Sequence, residues 1–85
     1  MRETSFTQSA YKQFEEWEKA DKKMYTKIKE LLKSIEKDPF TGIGKPEPLK
    51  HNLKSCWSRR ITKEHRLVYQ VTKETIIIIS CKFHY

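Results

Sequence analysis

Two periodicities divide the chain. In the first half apolar residues recur at helical spacing, and in the second they alternate. Ala10, Phe14 and Trp17 fall on one helical face with Tyr11 beside them, while Lys12, Gln13, Glu15 and Glu16 take the other. Thr7 or Ser9 offers an N-cap, so the spacing predicts a first helix from about Thr7 to Lys19. Asp21 can cap a second helix. There Met24, Ile28, Leu31 and Ile35 repeat at i, i+4, i+7 and i+11, with Leu32 widening the stripe and lysines mostly outside it. This stripe is read as core. Asp38-Pro39 ends the helix, because a residue before proline is driven out of the helical region. The short connection predicts an antiparallel helix hairpin.

After the loop TGIGKPEP, residues 41–48, the period falls to two. Trp57, Arg59 and Ile61 alternate with Ser58 and Arg60. Leu67, Tyr69 and Val71 alternate with Val68 and Gln70. A third run, Thr75 to Phe83, is the most apolar and β-branched, and is expected to be the central strand. Residues 2–6, RETSF, leave room for at most a short edge strand. The prediction is an α+β fold in one domain spanning residues 1–85: two antiparallel helices packed on a small, mainly antiparallel sheet.

Composition narrows the function classes. No stretch approaches the ~20 apolar residues that span a bilayer. The amino terminus lacks the apolar segment of a secretory signal, so a cytoplasmic location and no membrane partner are expected. The net charge of +7 is unevenly placed. Residues 1–43 carry nine basic and eight acidic side chains, net +1, whereas residues 44–85 carry nine and three, net +6. Such asymmetry points to a polyanion, nucleic acid first. Cys56 and Cys81 fall in different predicted strands and form no C-x-x-C. With His51, His65 and His84 they make no metal-ligand spacing, so no metal, no cofactor and no structural disulfide are expected.

The basic half also holds the reactive side chains. Cleaving RNA through its own 2′-hydroxyl takes a base, a cation for the crowded phosphate and an acid for the departing 5′-oxygen. Glu47, stiffened by prolines on both sides, is the only carboxylate between Asp38 and Glu64 and is the candidate base. The alternative for it is a solvated loop glutamate. Arg59, Arg60 and Arg66 flank one turn, and at least one is expected to hold phosphate; Arg59 and Arg60 must point to opposite faces. Lys45, Lys50 and Lys54 are candidates for holding the backbone of a bound strand. His84 is the candidate acid, with Tyr85 offering a ring for a base or a hydroxyl for a phosphate. A frayed terminus is the alternative for both. His51 and His65 are the other acids to consider, and surface or packing roles compete for them.

KPEPLKHNL, then WSRRIT-x-EHRLVY, then a closing C-x-x-HY, resemble the YoeB family of bacterial toxins in the RelE-like superfamily. The likeness runs from the second helix onward, and DPFTGIGKPEPLKHNL is close to the family's loop. It implies the toxin of a type II toxin–antitoxin system. That means a helix pair on a small antiparallel sheet, ribosome-dependent mRNA cleavage in the A site, and neutralisation by a YefM-type antitoxin. Glu47 then matches the family's general base, Arg66 its phosphate-binding arginine, His84 its general acid and Tyr85 its terminal tyrosine. Lys50 and Arg60 match RNA-facing positions, and His51 joins them as an RNA-binding candidate. Partners expected on this reading are the antitoxin, the ribosome with its mRNA, and a second copy in a homodimer. Departures are modest. Lys82 and Phe83 replace other basic and aromatic residues, Cys56 stands at a commonly aromatic position, and the amino-terminal segment is more polar than the family's first strand. Two other readings share the charge: a non-enzymatic RNA or ribosome binder that blocks translation by occupancy, and a basic module held by an acidic partner.

Overall fold

The computed structural model describes residues 2–49 and 55–83. The order is β1 (Glu3–Phe6), α1 (Gln8–Ala20), α2 (Lys22–Lys37), β2 (Glu47–Pro48), β3 (Cys56–Arg60), β4 (Arg66–Val71) and β5 (Thr75–Ser80). Both helices begin where short polar side chains satisfy free backbone N–H groups. Thr7 Oγ1 accepts from Ala10 N–H at 3.1 Å. Asp21 is the whole connection between the helices: its N–H closes α1 on the Trp17 carbonyl, and its carboxylate accepts from Lys23 N–H at 3.1 Å to open α2. The α2 stripe is buried as its spacing predicts, with Met24, Ile28, Leu31 and Ile35 all in the core. Each such side chain contributes about 1.5–3 kcal/mol on burial. No helix among the described residues is long and apolar enough to cross a membrane.

The sheet has five strands in the order β1-β5-β4-β3-β2. β1 runs parallel to β5, with Glu3 opposite Thr75 and Phe6 opposite Ile78; the other pairings are antiparallel. The sheet supplies one strand that the sequence left open and corrects the sequence reading at three points. The amino-terminal segment is a true edge strand. It is pinned by Thr7 N–H on the Ile78 carbonyl and by Arg2 Nε–H on the Thr72 carbonyl at 2.7 Å. Glu47–Pro48, read as loop, is a two-residue strand on the opposite edge, where a proline is tolerated because it owes no ladder bond on its outer side. With a strand added at each end, β4 becomes the middle strand in place of β5, and Leu67, Val68 and Tyr69 are buried in succession. The apolar run from Thr75 also ends as a strand at Ser80, three residues before Phe83.

Leu67, Tyr69, Val71, Ile76 and Ile78 form one core with Ala10 and the α2 stripe, so that face of the sheet lies under the helices. Residues one position out of phase, Ser58 and Arg66 among them, belong to the other face.

The link from α2 to β2 depends on Gly44. Its carbonyl accepts from Arg60 N–H at 2.7 Å, and its φ is +83°. A Cβ there would stand 2.7 Å from Leu31 Cδ2 and 3.2 Å from the Arg60 carbonyl oxygen. Gly44→Ala is therefore expected to lower stability by about 1–3 kcal/mol in urea unfolding, combining a left-handed backbone with overpacking.

Candidate active site

The site lies at the β2–β3–β4 edge of the sheet. Glu47 pairs with Ser58, Ser58 with Val68, and Arg60 with Arg66. Paired residues share a face, as do residues two apart, so Glu47, Ser58, Arg60 and Arg66 all point away from the helices. Arg66 Nη1 donates to Glu47 Oε1 at 3.1 Å and to Ser58 Oγ at 3.3 Å. Glu47 keeps 58% of its side chain exposed and Arg66 26%. The pair is thus open to a ligand, and its energy as an exposed ion pair is small, about 0–1 kcal/mol. Arg60 is exposed directly opposite Arg66. Two guanidinium groups facing one another across a ladder repel, and the arrangement favours an anion placed between them. Lys45 is exposed two residues before Glu47, in the left-handed region at φ 52°.

Beyond β5 the ladder gives way to side chains. Gln13 Oε1 accepts from Cys81 N–H at 2.8 Å, and Trp17 Nε1–H donates to the Cys81 carbonyl at 2.9 Å. His65 Nδ1 accepts from Phe83 N–H at 2.7 Å, and Arg66 N–H donates to the Phe83 carbonyl at 2.9 Å. The last described residue is therefore held on the backbone of the phosphate-binding candidate.

One expectation is overturned. Arg59, placed among the RNA-facing residues, is fully buried and has all five guanidinium N–H groups engaged. Nε donates to Tyr69 OH at 3.0 Å. Nη1 donates to Ser34 Oγ at 2.7 Å and to the Ile43 carbonyl at 3.1 Å. Nη2 donates to the carbonyls of Asp38 at 2.7 Å and Thr41 at 2.9 Å. Tyr69 OH donates in turn to the Pro39 carbonyl at 2.7 Å. Arg59 fastens the segment after α2 to the sheet and has no donor left for a ligand. The alternation already held this signal, since Arg59 shares a face with Trp57 and Ile61. Asp38 also belongs to this knot: a hydrogen bond from Phe40 N–H, then one from Thr41, and the charge of Arg59 hold its carboxyl below the usual range.

Burial pushes the Cys81 thiol up to about 12 and raises that of Cys56, so neither supplies a thiolate nucleophile at neutral pH. Both are free thiols. Among the described residues no three histidine, cysteine or acidic side chains gather as a metal-binding group. Lys50, His51, Lys54, His84 and Tyr85 lie outside the described residues. His65, weighed as an acid, packs edge-on to Trp17 at 4.9 Å and has its Nδ1 committed to Phe83.

Residues 6–85 match the family model of the YoeB-like toxin of bacterial type II toxin–antitoxin systems. Toxin YoeB of Escherichia coli (strain K12) is 56% identical over 69 residues, covering 81% of this chain and 82% of that protein. A solved YoeB dimer from Staphylococcus aureus superposes with a TM-score of 0.90 at 49% identity, covering 99% of this chain and 98% of that one. The YoeB-YefM complex from the same organism gives 0.88 at 48% identity, covering 100% and 99%.

Proposed function

The chain belongs to the family of YoeB-like toxins of bacterial type II toxin–antitoxin systems, and from that premise we propose that it is a ribosome-dependent endoribonuclease that cuts mRNA in the A site and stops translation. The observation that carries this reading is the Glu47–Arg66 pair at 3.1 Å on the open face of the sheet, a carboxylate and a guanidinium within reach of one phosphodiester. Glu47 takes the proton of the 2′-hydroxyl as its oxygen attacks phosphorus. Arg66 and Arg60 stabilise the charge that builds on the phosphoryl oxygens. His84 gives its proton to the 5′-oxygen as the P–O5′ bond breaks, leaving a 2′,3′-cyclic phosphate and a 5′-hydroxyl. Tyr85 stacks on a base or holds a phosphate, and Lys45, Lys50, His51 and Lys54 line the path of the strand. Base, cation and acid are all side chains, so the reaction as proposed uses no catalytic metal.

The same premise supports a partner. A YefM-like antitoxin with an acidic, partly disordered segment would order across the +6 half and cover the site. A homodimer is proposed on the likeness to the S. aureus dimer.

The test maps mRNA ends from programmed ribosomes after the protein is added, with catalytic metal removed and enough magnesium kept to hold the subunits together. New ends inside the A-site codon, carrying a 2′,3′-cyclic phosphate or its opened 3′-phosphate, are expected. A 3′-hydroxyl end would mean that water was the nucleophile and would overturn the mechanism. A translational block with intact mRNA would favour the non-enzymatic binder.

A further inference from the structure

We propose that His65 is a positioning residue whose Nδ1 acceptor fixes the chain at Phe83, next to Arg66 and one residue before the candidate acid His84. The inference rests on the reading of His84 as the acid.

The imidazole is itself held. The His65 carbonyl accepts from Ile61 N–H at 2.9 Å and Thr62 N–H at 3.1 Å, and its own N–H donates to Thr62 Oγ1 at 3.2 Å. Its ring stands edge-on to Trp17, with centroids 4.9 Å apart and planes at 79°, and Trp17 is anchored by its bond to the Cys81 carbonyl. From this seat Nδ1 accepts the Phe83 N–H at 2.7 Å, while the next residue's N–H takes the Phe83 carbonyl. Consecutive residues of β4's entry thus grip both polar groups of Phe83. That grip has something to hold against: Phe83 sits at φ 61°, a left-handed conformation that a phenylalanine does not adopt without support. Phe83 is 60% exposed, and its ring lies tilted against the His65 ring with centroids 5.4 Å apart, so His65 holds it through ring and acceptor together.

A ring nitrogen that accepts a hydrogen bond is unprotonated, which puts the ring proton on Nε2. An imidazolium has two donors and no acceptor. Protonation would therefore set an N–H of His65 against the N–H of Phe83 and break the grip. The charged groups near the ring come from three elements. Lys82, on the tail, has its Nζ 5.7 Å from the Trp17 ring and 5.7 Å from the Phe83 ring. Glu16, on α1, reaches Lys82 at 4.0 Å. Lys63, Glu64 and Arg66 flank His65 in the turn and strand.

Two substitutions separate the acceptor from the ring. His65→Phe keeps an aromatic ring for Trp17 and removes the acceptor. His65→Asn removes the ring but sets Oδ1 the same two bonds from Cβ as Nδ1. In single-turnover cleavage on programmed ribosomes His65→Phe should be slower by about 10²-fold, the scale of a misplaced catalytic group. Ribosome binding should be unchanged, and the Phe83 amide should lose its protection from hydrogen exchange. His65→Asn should recover most of the rate. Nitrogen NMR of the parent should show the proton on Nε2. Parental cleavage by His65→Phe beside a slow His84→Gln would overturn this inference and leave the acid reading standing. An Asn variant as slow as the Phe variant would overturn it too, since the acceptor would then not matter. A fast His84→Gln would remove the acid reading and this inference with it.

Discussion

Glu47→Gln and His84→Gln are each expected to slow single-turnover cleavage of ribosome-bound mRNA by about 10²- to 10⁴-fold, the usual contribution of a positioned general base or acid. Glutamine at position 47 keeps an oxygen that can accept from Arg66 Nη1, as Glu47 Oε1 does at 3.1 Å. The arginine should stay in place, and only the capacity to take up a proton is lost. Glutamine at position 84 keeps hydrogen-bonding capacity and loses the proton to give. Both variants should bind ribosomes within a few-fold of the parent, because binding draws on the basic surface of residues 44–85 and not on proton transfer. The double variant should be little slower than the slower single one, since base and acid serve the same step and their losses do not add. Deleting Tyr85 should leave folding intact and reduce cleavage by misplacing the phosphate. Near-parental cleavage by Glu47→Gln would return Glu47 to a solvated edge residue. Near-parental cleavage by both His84→Gln and the Tyr85 deletion would do the same for the terminus.

What the sequence made legible follows from where its period was strong. The α2 stripe and the caps at Thr7 and Asp21 are local signals, and the helices begin and end within a residue or so of where those signals put them. Of the three longer strands, β3 and β4 announced themselves by alternation and β5 by its unbroken β-branched run. β1 did not, because only Phe6 among its four residues is apolar; its position comes from the open edge of β5, seventy-two residues away along the chain. β2 is too short to have a period at all, and exists because Glu47 and Pro48 lie against β3. That pairing places Glu47 beside Arg66, so the candidate base was legible as a residue type and not as a location. Arg66 was legible as a candidate phosphate ligand, but its contact with Ser58 needed the fold. His65 shows the limit most clearly. A histidine in a turn reads as surface or packing, and nothing local says that a residue eighteen positions later will offer it an N–H.

Arg59→Lys is expected to destabilise the fold by about 3–5 kcal/mol, the cost of breaking a buried, hydrogen-bonded charge. In a domain of this size, whose whole stability is of the order of 5–15 kcal/mol, that is a large share. Lysine keeps the charge but brings three donors from one point, whereas Arg59 reaches five acceptors spread over Ser34, Asp38, Thr41, Ile43 and Tyr69. The ammonium can meet two or three of these and leaves the rest without partners inside the core. Arg59→Met removes the charge but orphans all five acceptors. Three of them are carbonyls of the segment between α2 and β2, which can recover hydrogen bonds only by turning out to water. Either variant should loosen that segment and the approach to Glu47, so cleavage should fall along with stability. Arg60→Met is the control for charge alone: an exposed residue on the other face of the same strand, it should change stability by no more than about 0.5 kcal/mol. Urea unfolding followed by the fluorescence of Trp17 and Trp57 measures all three. If Arg59→Lys unfolded at the parental midpoint, the five-bond knot would be an incidental contact and not what fastens the segment after α2 to the sheet.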